Sequence, residues 1–284
     1  FTSDGSTYKT GWAANWTCEA NCAPATLVSA PNNWYSDDFT AGFTDNGACG
    51  NTIQQRFYQA LAYNGTEWRG NGNAGQLNDE CNQTTIHPDW NPTVGTWSES
   101  AGNIQQTDEA NGNTKAWAAV AQTSGKTWLY HWRMKIGGTG TNRRAGIHFF
   151  GSDANGANLG NSYFVYFRTD NDKVQIYDVN ADIWTTPQAD DPLTVDPNIW
   201  YDCKVTYNPA SGLINVYMNN ALVSTWTDTT PLTSGSYVSL RTGNCIGYYD
   251  YIKVYQSRSS TTAAITVGNA TADALNYQNT NPGQ

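Results

Sequence analysis

A short stretch of the chain concentrates side chains that suit the binding of a polar ligand. Guanidinium groups bridge neighbouring hydroxyls or grip a carboxylate, and aromatic rings stack on the C–H face of a sugar ring. These side chains come from one loop and two segments after it, and we predict that they form a ligand site: Arg143, Arg144, His148, Tyr166 and Arg168. In the structural alternative, the arginines pair with acidic residues to fix loops: Asp153, Asp170 or Asp172.

The sequence offers little for hydrolysis of a glycosidic bond. No glutamate follows Glu109, whereas a retaining glycosidase needs two carboxyl groups about 5 Å apart. A hydrolase or lyase would have to use side chains whose spacing does not distinguish them from ordinary strand residues: His131, His148, Tyr166 and Asp202. We therefore predict no catalytic residue.

The residues that precede and follow these side chains form short segments in which apolar and polar positions alternate. Such segments, separated by turns rich in Gly, Asn and Asp, predict β-strands with one buried face. The strongest cover residues 128–136, 145–150, 162–168 and 173–179, and Asn219 with Asn220 predicts a tight hairpin turn. Because no helical periodicity intervenes, the expected fold is an all-β, antiparallel two-sheet jelly-roll sandwich.

The alternation also assigns side chains to faces. It directs one set toward the core, Tyr130, Trp132, Met134, Ile136, Val174, Ile176, Cys203, Val205 and Tyr207. It directs the other set toward solvent, His131, Arg133, Lys135, Gln175, Tyr177, Lys204 and Thr206. A Trp in a sandwich more often packs in the core than on the surface. Three tryptophans are nevertheless candidates for exposed platforms that stack on a ligand: Trp117, Trp184 and Trp226.

Three regions are predicted along the chain. Residues 1–73 form a small irregular N-terminal accessory region, in which residues 54–63 fit either a strand or a short helix. Residues 74–257 form the sandwich. Residues 258–284 lose aromatic density and are predicted to be a linker or the start of a following module.

Composition restricts the partners. A formal net charge of −9, with dispersed Lys and Arg, argues against nucleic acid. No apolar stretch approaches the roughly 20 residues of a membrane span. The six cysteines fit an oxidising compartment and favour disulfides over a metal site or free thiols. The sequence leaves their connectivity open; one set of pairs that it allows is Cys203–Cys245, Cys49–Cys81 and Cys18–Cys22.

Acidic residues near both ends of the sandwich predict a structural calcium site. Asp79 or Glu80 lies on its opening strand and Asp250 on its closing strand. The first and last strands of a jelly roll lie side by side, and calcium prefers hard oxygen ligands.

Two stretches, residues 138–168 and 200–255, resemble concanavalin A-like jelly rolls of the laminin-G-like kind. More narrowly, residues 78–81, 87–90 and 95–97 resemble segments that precede the sandwich in modules of secreted multidomain proteins of type IX-secreting bacteria. The resemblance covers residues 74–257 and implies a jelly roll that is secreted or displayed on a bacterial surface. Family members with glycosidase activity carry a Glu-x-Asp-x-x-Glu strand, and this chain has none.

The sequence therefore predicts a non-catalytic carbohydrate-binding or adhesion module whose partner is a polysaccharide or surface glycan, with other domains of a longer chain as possible neighbours. Two alternatives stay open. One is a glycoside hydrolase or polysaccharide lyase of jelly-roll fold. The other is a structural spacer or filament subunit without saccharide binding.

Overall fold

A computed structural model of the chain describes residues 34–36, 57–63, 68–70, 77–184 and 186–257. These residues form two antiparallel sheets packed face to face, which confirms the predicted all-β two-sheet sandwich. Within the described part, no helix has the length and apolarity that crossing a bilayer requires.

The strands of the described residues are numbered in chain order. They are β1 (Trp34–Ser36), β2 (Phe57–Tyr63), β3 (Trp68–Gly70), β4 (Leu77–Asp79), β5 (Trp90–Val94), β6 (Trp97–Ser100), β7 (Asn103–Gln106), β8 (Lys115–Thr123), β9 (Trp128–Gly137), β10 (Arg144–Gly151), β11 (Ser162–Arg168), β12 (Lys173–Val179), β13 (Ala189–Pro192), β14 (Trp200–Asn208), β15 (Leu213–Met218), β16 (Ala221–Thr227), β17 (Ser234–Gly243) and β18 (Ile246–Ser257).

The strands divide into a larger and a smaller sheet. The larger sheet has the order β1-β2-β18-β9-β14-β15-β16, with β4 and β7 also pairing with β18, β6 with β7, and β3 with β2. The smaller sheet has the order β13-β12-β11-β10-β17-β8-β5. Each sheet therefore has an inner face toward the core and an outer face away from it.

The core lies between the inner faces and is rich in aromatic rings. The ring centroids of Tyr130 on β9 and Phe149 on β10 are 4.7 Å apart, and those of Trp132 and Phe167 are 6.2 Å apart. All core-facing side chains predicted from alternation in β9, β12 and β14 belong to this core. Period-two patterning therefore assigned the inner faces correctly.

The predicted hairpin at Asn219 and Asn220 is also confirmed. Both residues have positive φ, 50° and 67°, and the flanking Met218 and Ala221 are paired across the turn. Asparagine is one of the few residues that adopts this left-handed backbone at low cost.

The predicted Cys203–Cys245 disulfide is wrong, because both residues are buried free thiols. Cys203 pairs with Trp132 in register, whereas Ile246, next to Cys245, pairs with Gly137. Five residues along β9 span about 17 Å, far beyond the roughly 7 Å limit for bridged Cα atoms. Cys81 is a buried free thiol as well, and the other cysteines, Cys18, Cys22 and Cys49, lie outside the described residues.

The segment predicted as either strand or helix at residues 54–63 contains the strand β2. β2 pairs with β18 at Gln256 and Ser257, so it extends the larger sheet. The side-chain amide of Gln59 donates to the backbone oxygens of Leu77 and Val254. The domain boundaries near residues 73 and 257 stay predictions.

Candidate functional site

The outer face of the smaller sheet brings together four of the five predicted ligand-binding residues. β10 and β11 pair so that Arg144 lies opposite Arg168 and Gly146 opposite Tyr166, while His148 lies opposite Phe164. Alternation turns Ala145, Ile147, Tyr163, Val165 and Phe167 into the core, and therefore turns the intervening residues outward. Arg143 precedes the strand, and its guanidinium donates to the backbone oxygen of Gly138 at 2.9 Å, apart from the others.

An aromatic cluster covers this outer face, separate from the core. It consists of Phe164, Tyr166, Tyr177, Val179 and Trp184. Trp184 is half-buried, and its ring centroid lies 4.7 Å from that of Tyr177 and 5.4 Å from that of Phe164, both in edge-to-face geometry. Rings on the outer side of a sheet give apolar surface beside polar groups, which is the usual composition of a ligand site.

His148 is fully enclosed at the centre of this face. Its ring stacks on Phe164 at 4.0 Å and 6°, its Nδ1 lies 3.2 Å from Ser162 Oγ, and its Nε2 lies 3.1 Å from Arg241 Nη1. Burial, and then the charges of Arg241 and Lys115, lower the pKa of His148 well below its usual value. His148 is therefore a neutral positioning residue that accepts a hydrogen bond from Arg241 at neutral pH.

The low pKa of His148 predicts that acid destabilises the fold through this residue. Below about pH 6.5 the unfolded chain takes up a proton at His148, whereas the folded chain does not until its lower pKa is reached. The contribution of the neutral His148 to the free energy of unfolding is therefore fully present above about pH 6.5. It falls with decreasing pH, by up to about 1.4 kcal/mol per pH unit. The free energy of unfolding, measured by urea denaturation between pH 7 and pH 5, should fall less steeply with decreasing pH in His148→Gln than in the unmodified protein. Equal slopes would contradict the burial of a neutral imidazole.

A loop at residues 152–161 closes over part of the outer face. The carboxylate of Asp182 accepts hydrogen bonds from the backbone amides of Ala157, Asn158 and Gly160 at 2.7–3.1 Å. A Cβ at Gly156 would lie 2.5 Å from that carboxylate, so only glycine fits there. The ammonium of Lys115 on β8 donates to the backbone oxygens of Ala154 and Gly156. The loop is thus fixed to the sheet from two sides.

The predicted solvent exposure of the outer faces is partly wrong. The residues point away from the core as expected, yet several are nearly inaccessible: His131, His148, Tyr166, Gln175, Tyr177, Lys204 and Thr206. On the smaller sheet, Trp184 packs on Tyr166 and Tyr177, and the loop at residues 152–161 closes beside His148. On the larger sheet, Tyr251 packs on His131. Alternation reports direction but not coverage by loops.

The three predicted arginines differ in their partners. Arg168 forms two contacts with the carboxylate of Asp170, at 3.0 and 2.5 Å, and so follows the structural alternative. Arg144 is half-buried and donates to the backbone oxygens of Asn142 and Gly112. Its guanidinium carbon lies 5.5 Å from the ring centroid of Tyr166.

Two cations on this face were not predicted from the sequence. Arg241 on β17 pairs in register with Gly146 and lies beside His148, and Lys115 begins β8. The alternation of Val238 and Leu240 into the core assigns Arg241 to the outer face. The sequence contained this signal, but the pairing of β17 with β10 was needed to bring Arg241 to Tyr166 and His148.

The candidates for catalysis are divided between two surfaces. His131 Nε2 lies 2.7 Å from Asp202 Oδ2 on the outer face of the larger sheet, whereas His148 and Tyr166 lie on the smaller sheet. The ammonium of Lys204 contacts Asp202 and donates to Asn220 Oδ1 at 2.8 Å. His131 and Asp202 therefore belong to a hydrogen-bonded network around the buried ammonium of Lys204.

The residues predicted to bind calcium are close but already engaged. Asp79 accepts hydrogen bonds from the Cys81 amide and from Trp90 Nε1, at 2.9 and 2.8 Å. Glu80 contacts Lys253 at 2.9 Å and Asp250 contacts Arg133 at 3.2 Å. Burial and the nearby carboxylates Glu80 and Asp79 raise the pKa of Asp250. Within the described residues, no group of three His, Cys, Asp or Glu side chains is arranged to hold a metal ion.

Comparison with solved structures identifies the fold. Carbohydrate-binding module CBM66 from Bacillus subtilis has a TM-score of 0.50 and 16% identity, covering 58% of this chain and 93% of that chain. A Bacillus subtilis protein of unknown function with a galectin-like fold has a TM-score of 0.50 and 12% identity, covering 64% and 96%. A Bacillus licheniformis beta-glucanase has a TM-score of 0.47 and 14% identity, covering 66% and 99%. The fold is a galectin-like jelly roll.

No protein-family model and no curated protein sequence matches this chain. Identities this low relate the chains by fold alone, and one fold supports many functions. The function of this jelly roll must therefore be inferred from the side chains on its outer faces.

The predicted tryptophan platforms occupy different places in the jelly roll. Trp226 packs against the core, with its ring centroid 6.0 Å from that of Tyr163. Trp117 is half-buried on β8 and contacts Tyr237 edge to face at 5.3 Å. Trp184 belongs to the aromatic cluster. Trp117 and Trp184 are therefore the tryptophans available to stack against a ligand on the smaller sheet.

Proposed function

We propose that the protein is a non-catalytic carbohydrate-binding module that holds a polysaccharide on the outer face of its smaller sheet. The observation that supports this most directly is the aromatic cluster on that face, with Trp184 half-exposed and arginines at its edge. A half-exposed indole provides a flat apolar surface for the C–H face of a pyranose, and Arg144 provides N–H donors for hydroxyl oxygens.

Three carboxylates on this face support binding rather than hydrolysis, and Asp190 accepts hydrogen bonds from Lys173 and Gln175. Asp170 is held by Arg168, and Asp182 accepts three backbone amides. A carboxylate that accepts these hydrogen bonds stabilises a loop or a strand end. A retaining glycosidase mechanism would need, in addition, a second carboxyl group about 5 Å away. The function expected of this face is therefore recognition.

The proposal extends to the setting of the module. Surfaces rich in Asn, Thr and Ser and poor in charge, together with the resemblance to secreted jelly rolls, favour a secreted or cell-surface bacterial protein with an adhesive role. Binding by one such face is expected to be weak and to gain strength through multivalency. A structural calcium ion at Asp79, Glu80 and Asp250 stays a prediction.

A glycan array followed by calorimetry tests the proposed function. We expect polysaccharide binding by the intact chain, about tenfold or more weaker binding by Trp184→Ala, and little change for Trp200→Ala, a half-buried tryptophan on the opposite sheet. Repeating the array in millimolar calcium and in chelator tests the ion.

Two outcomes would contradict the proposal. A stronger loss in Trp200→Ala than in Trp184→Ala would put the binding surface on the larger sheet. Polysaccharide turnover by the purified protein, or binding to no saccharide at all, would favour the hydrolase or the structural alternative.

A further inference from the structure

Arg241 is a buried cation whose hydrogen-bonding capacity is only half used. Its side chain is 1% exposed, and its Nη1 contacts His148 Nε2, Ala157 O and Asn158 Oδ1. Within the described residues, Nε and Nη2 lack any acceptor in hydrogen-bond geometry, although both are buried. Buried N–H groups of a charged side chain are almost always paired, so this free edge of the guanidinium indicates a missing partner.

A second buried cation, Lys115, lies near Arg241, and its ammonium is bonded to backbone oxygens. Burial and the charge of Arg241 lower the pKa of Lys115, against the opposite effect of the carboxylates of Asp182 and Asp153. In the part of the chain that the structure describes, no carboxylate lies within ion-pair distance of either side chain. A buried charge without a counter-ion is unfavourable, and an anion would remove that penalty.

A third donor lies beside this edge. The Tyr166 hydroxyl is buried and donates to no acceptor among the described residues. Tyr166 and Arg241 flank the same residue, Gly146 of β10, and the guanidinium carbon of Arg144 lies 5.5 Å from the ring centroid of Tyr166. Burial raises the pKa of Tyr166. The hydroxyl is protonated at neutral pH and has a proton to donate.

The rings around Arg241 determine which anion fits. The guanidinium carbon lies 5.4 Å from the ring centroid of Phe164 and 5.3 Å from that of Trp184. The two rings make cation–π contacts with the guanidinium, so the unpaired Nε and Nη2 edge is the part of it left for a hydrogen-bonded anion. A planar carboxylate matches the Nε and Nη2 edge with two parallel hydrogen bonds.

We propose that Arg241 and Tyr166 bind the carboxylate of a uronic acid residue, so that the ligand is an acidic polysaccharide. This inference rests on the proposed function and specifies its substrate class. The sugar ring packs against Trp184, and the half-buried Arg144 above Tyr166 adds a second positive charge at the site. Although the chain carries a net charge of −9, its acidic ligand is thus met by a local cluster of cations.

Calorimetric titration at low ionic strength tests the inference with oligogalacturonate, a neutral galactose oligomer of the same length, and sodium acetate. We expect oligogalacturonate to bind at least about tenfold more tightly than the neutral oligomer. Tyr166→Phe keeps the ring and should weaken oligogalacturonate binding about tenfold without weakening the neutral oligomer. Arg241→Gln should abolish the preference for the acidic oligomer.

The controls separate folding, charge and binding. Arg133→Gln on the larger sheet removes the same charge from an exposed position and should leave the preference unchanged. If Arg241→Gln fails to fold by circular dichroism, Tyr166→Phe still decides the question. Equal affinity for both oligomers, unchanged by Tyr166→Phe but lost in Trp184→Ala, would overturn the carboxylate site and leave the proposed function standing.

Two other results would also overturn it. Binding of acetate as tight as that of oligogalacturonate would indicate an adventitious ion only. Binding of neither oligomer, with no other saccharide retained on an array, would overturn both the carboxylate site and the proposed function.

Discussion

Replacing Trp132 by alanine is expected to lower the free energy of unfolding by about 3–5 kcal/mol. Trp132 is fully buried on β9, the strand that joins β14 and β18 in the larger sheet, and its ring meets Phe167 of the smaller sheet at 6.2 Å. Alanine at this position leaves a cavity between the two sheets that rigid flanking strands cannot collapse to fill. Urea denaturation followed by tryptophan fluorescence measures the loss.

Phenylalanine substitutions at Trp132 and at Trp128 give a second test of the packing in the core. Trp132 Nε1 is buried with no hydrogen-bond partner in the described residues, whereas Trp128 Nε1 donates to Thr123 O at 2.9 Å. Trp132→Phe removes a desolvated N–H along with some apolar area, while Trp128→Phe leaves a carbonyl without its donor. We expect the smaller loss for Trp132→Phe. The reverse order, or a Trp132→Ala loss below about 1.5 kcal/mol, would contradict the packing described for the core.

Two of the strands that alternation did not predict from the sequence share one physical feature. β5 (sequence WNPTV) and β13 (sequence ADDP) each contain proline and occupy the two edges of the smaller sheet. Proline lacks an N–H to donate and is tolerated where one side of a strand is unpaired, and it also blocks pairing with another molecule. Propensity therefore argued against strands that the edge position allows.

The central strands were predictable because both of their faces are constrained. β11 and β12 have the bounds given by alternation in the sequence, and the outward direction of Arg144, His148 and Tyr166 follows from the same period of two. Grouping these side chains needed only the neighbouring strands β10 and β11, which are consecutive along the chain. Such local pairing is what a sequence pattern encodes best.

The proximity of Arg241 to His148 and Tyr166 could not be predicted from a local sequence pattern. Arg241 lies 93 residues from His148 along the chain. The pairing of its strand, β17, with β10 depends on the order of the whole sheet. The closure of the loop at residues 152–161 likewise depends on Asp182, from a different turn. Long-range pairing and loop coverage are set by the tertiary structure, so the chemistry of the face was predictable from the sequence but its enclosure was not.

Asp202 contacts both His131 and Lys204 on the outer face of the larger sheet. Replacing it by alanine is expected to lower the free energy of unfolding by about 3–5 kcal/mol at pH 7. Lys204 is 2% exposed, and its remaining contact would be Asn220, so the substitution leaves a buried ammonium without its carboxylate. Burial raises the pKa of Asp202, but the hydrogen bonds from His131 and Lys204 outweigh burial and hold the pKa below its usual range. The stabilisation is therefore present above about pH 3.9 and lost as the pH falls through the lower folded value.

Lys204→Met in the Asp202→Ala background separates a structural role from a catalytic one. The double variant has no buried charge to compensate, so most of the lost stability should return. Urea denaturation at pH 7 and pH 3 measures both effects, and the difference between Asp202→Ala and the unmodified protein should shrink at the lower pH. A stable Asp202→Ala protein that had lost the turnover of a polysaccharide would instead show that His131 and Asp202 perform chemistry, because an ion pair that only supports the fold cannot change activity without changing stability.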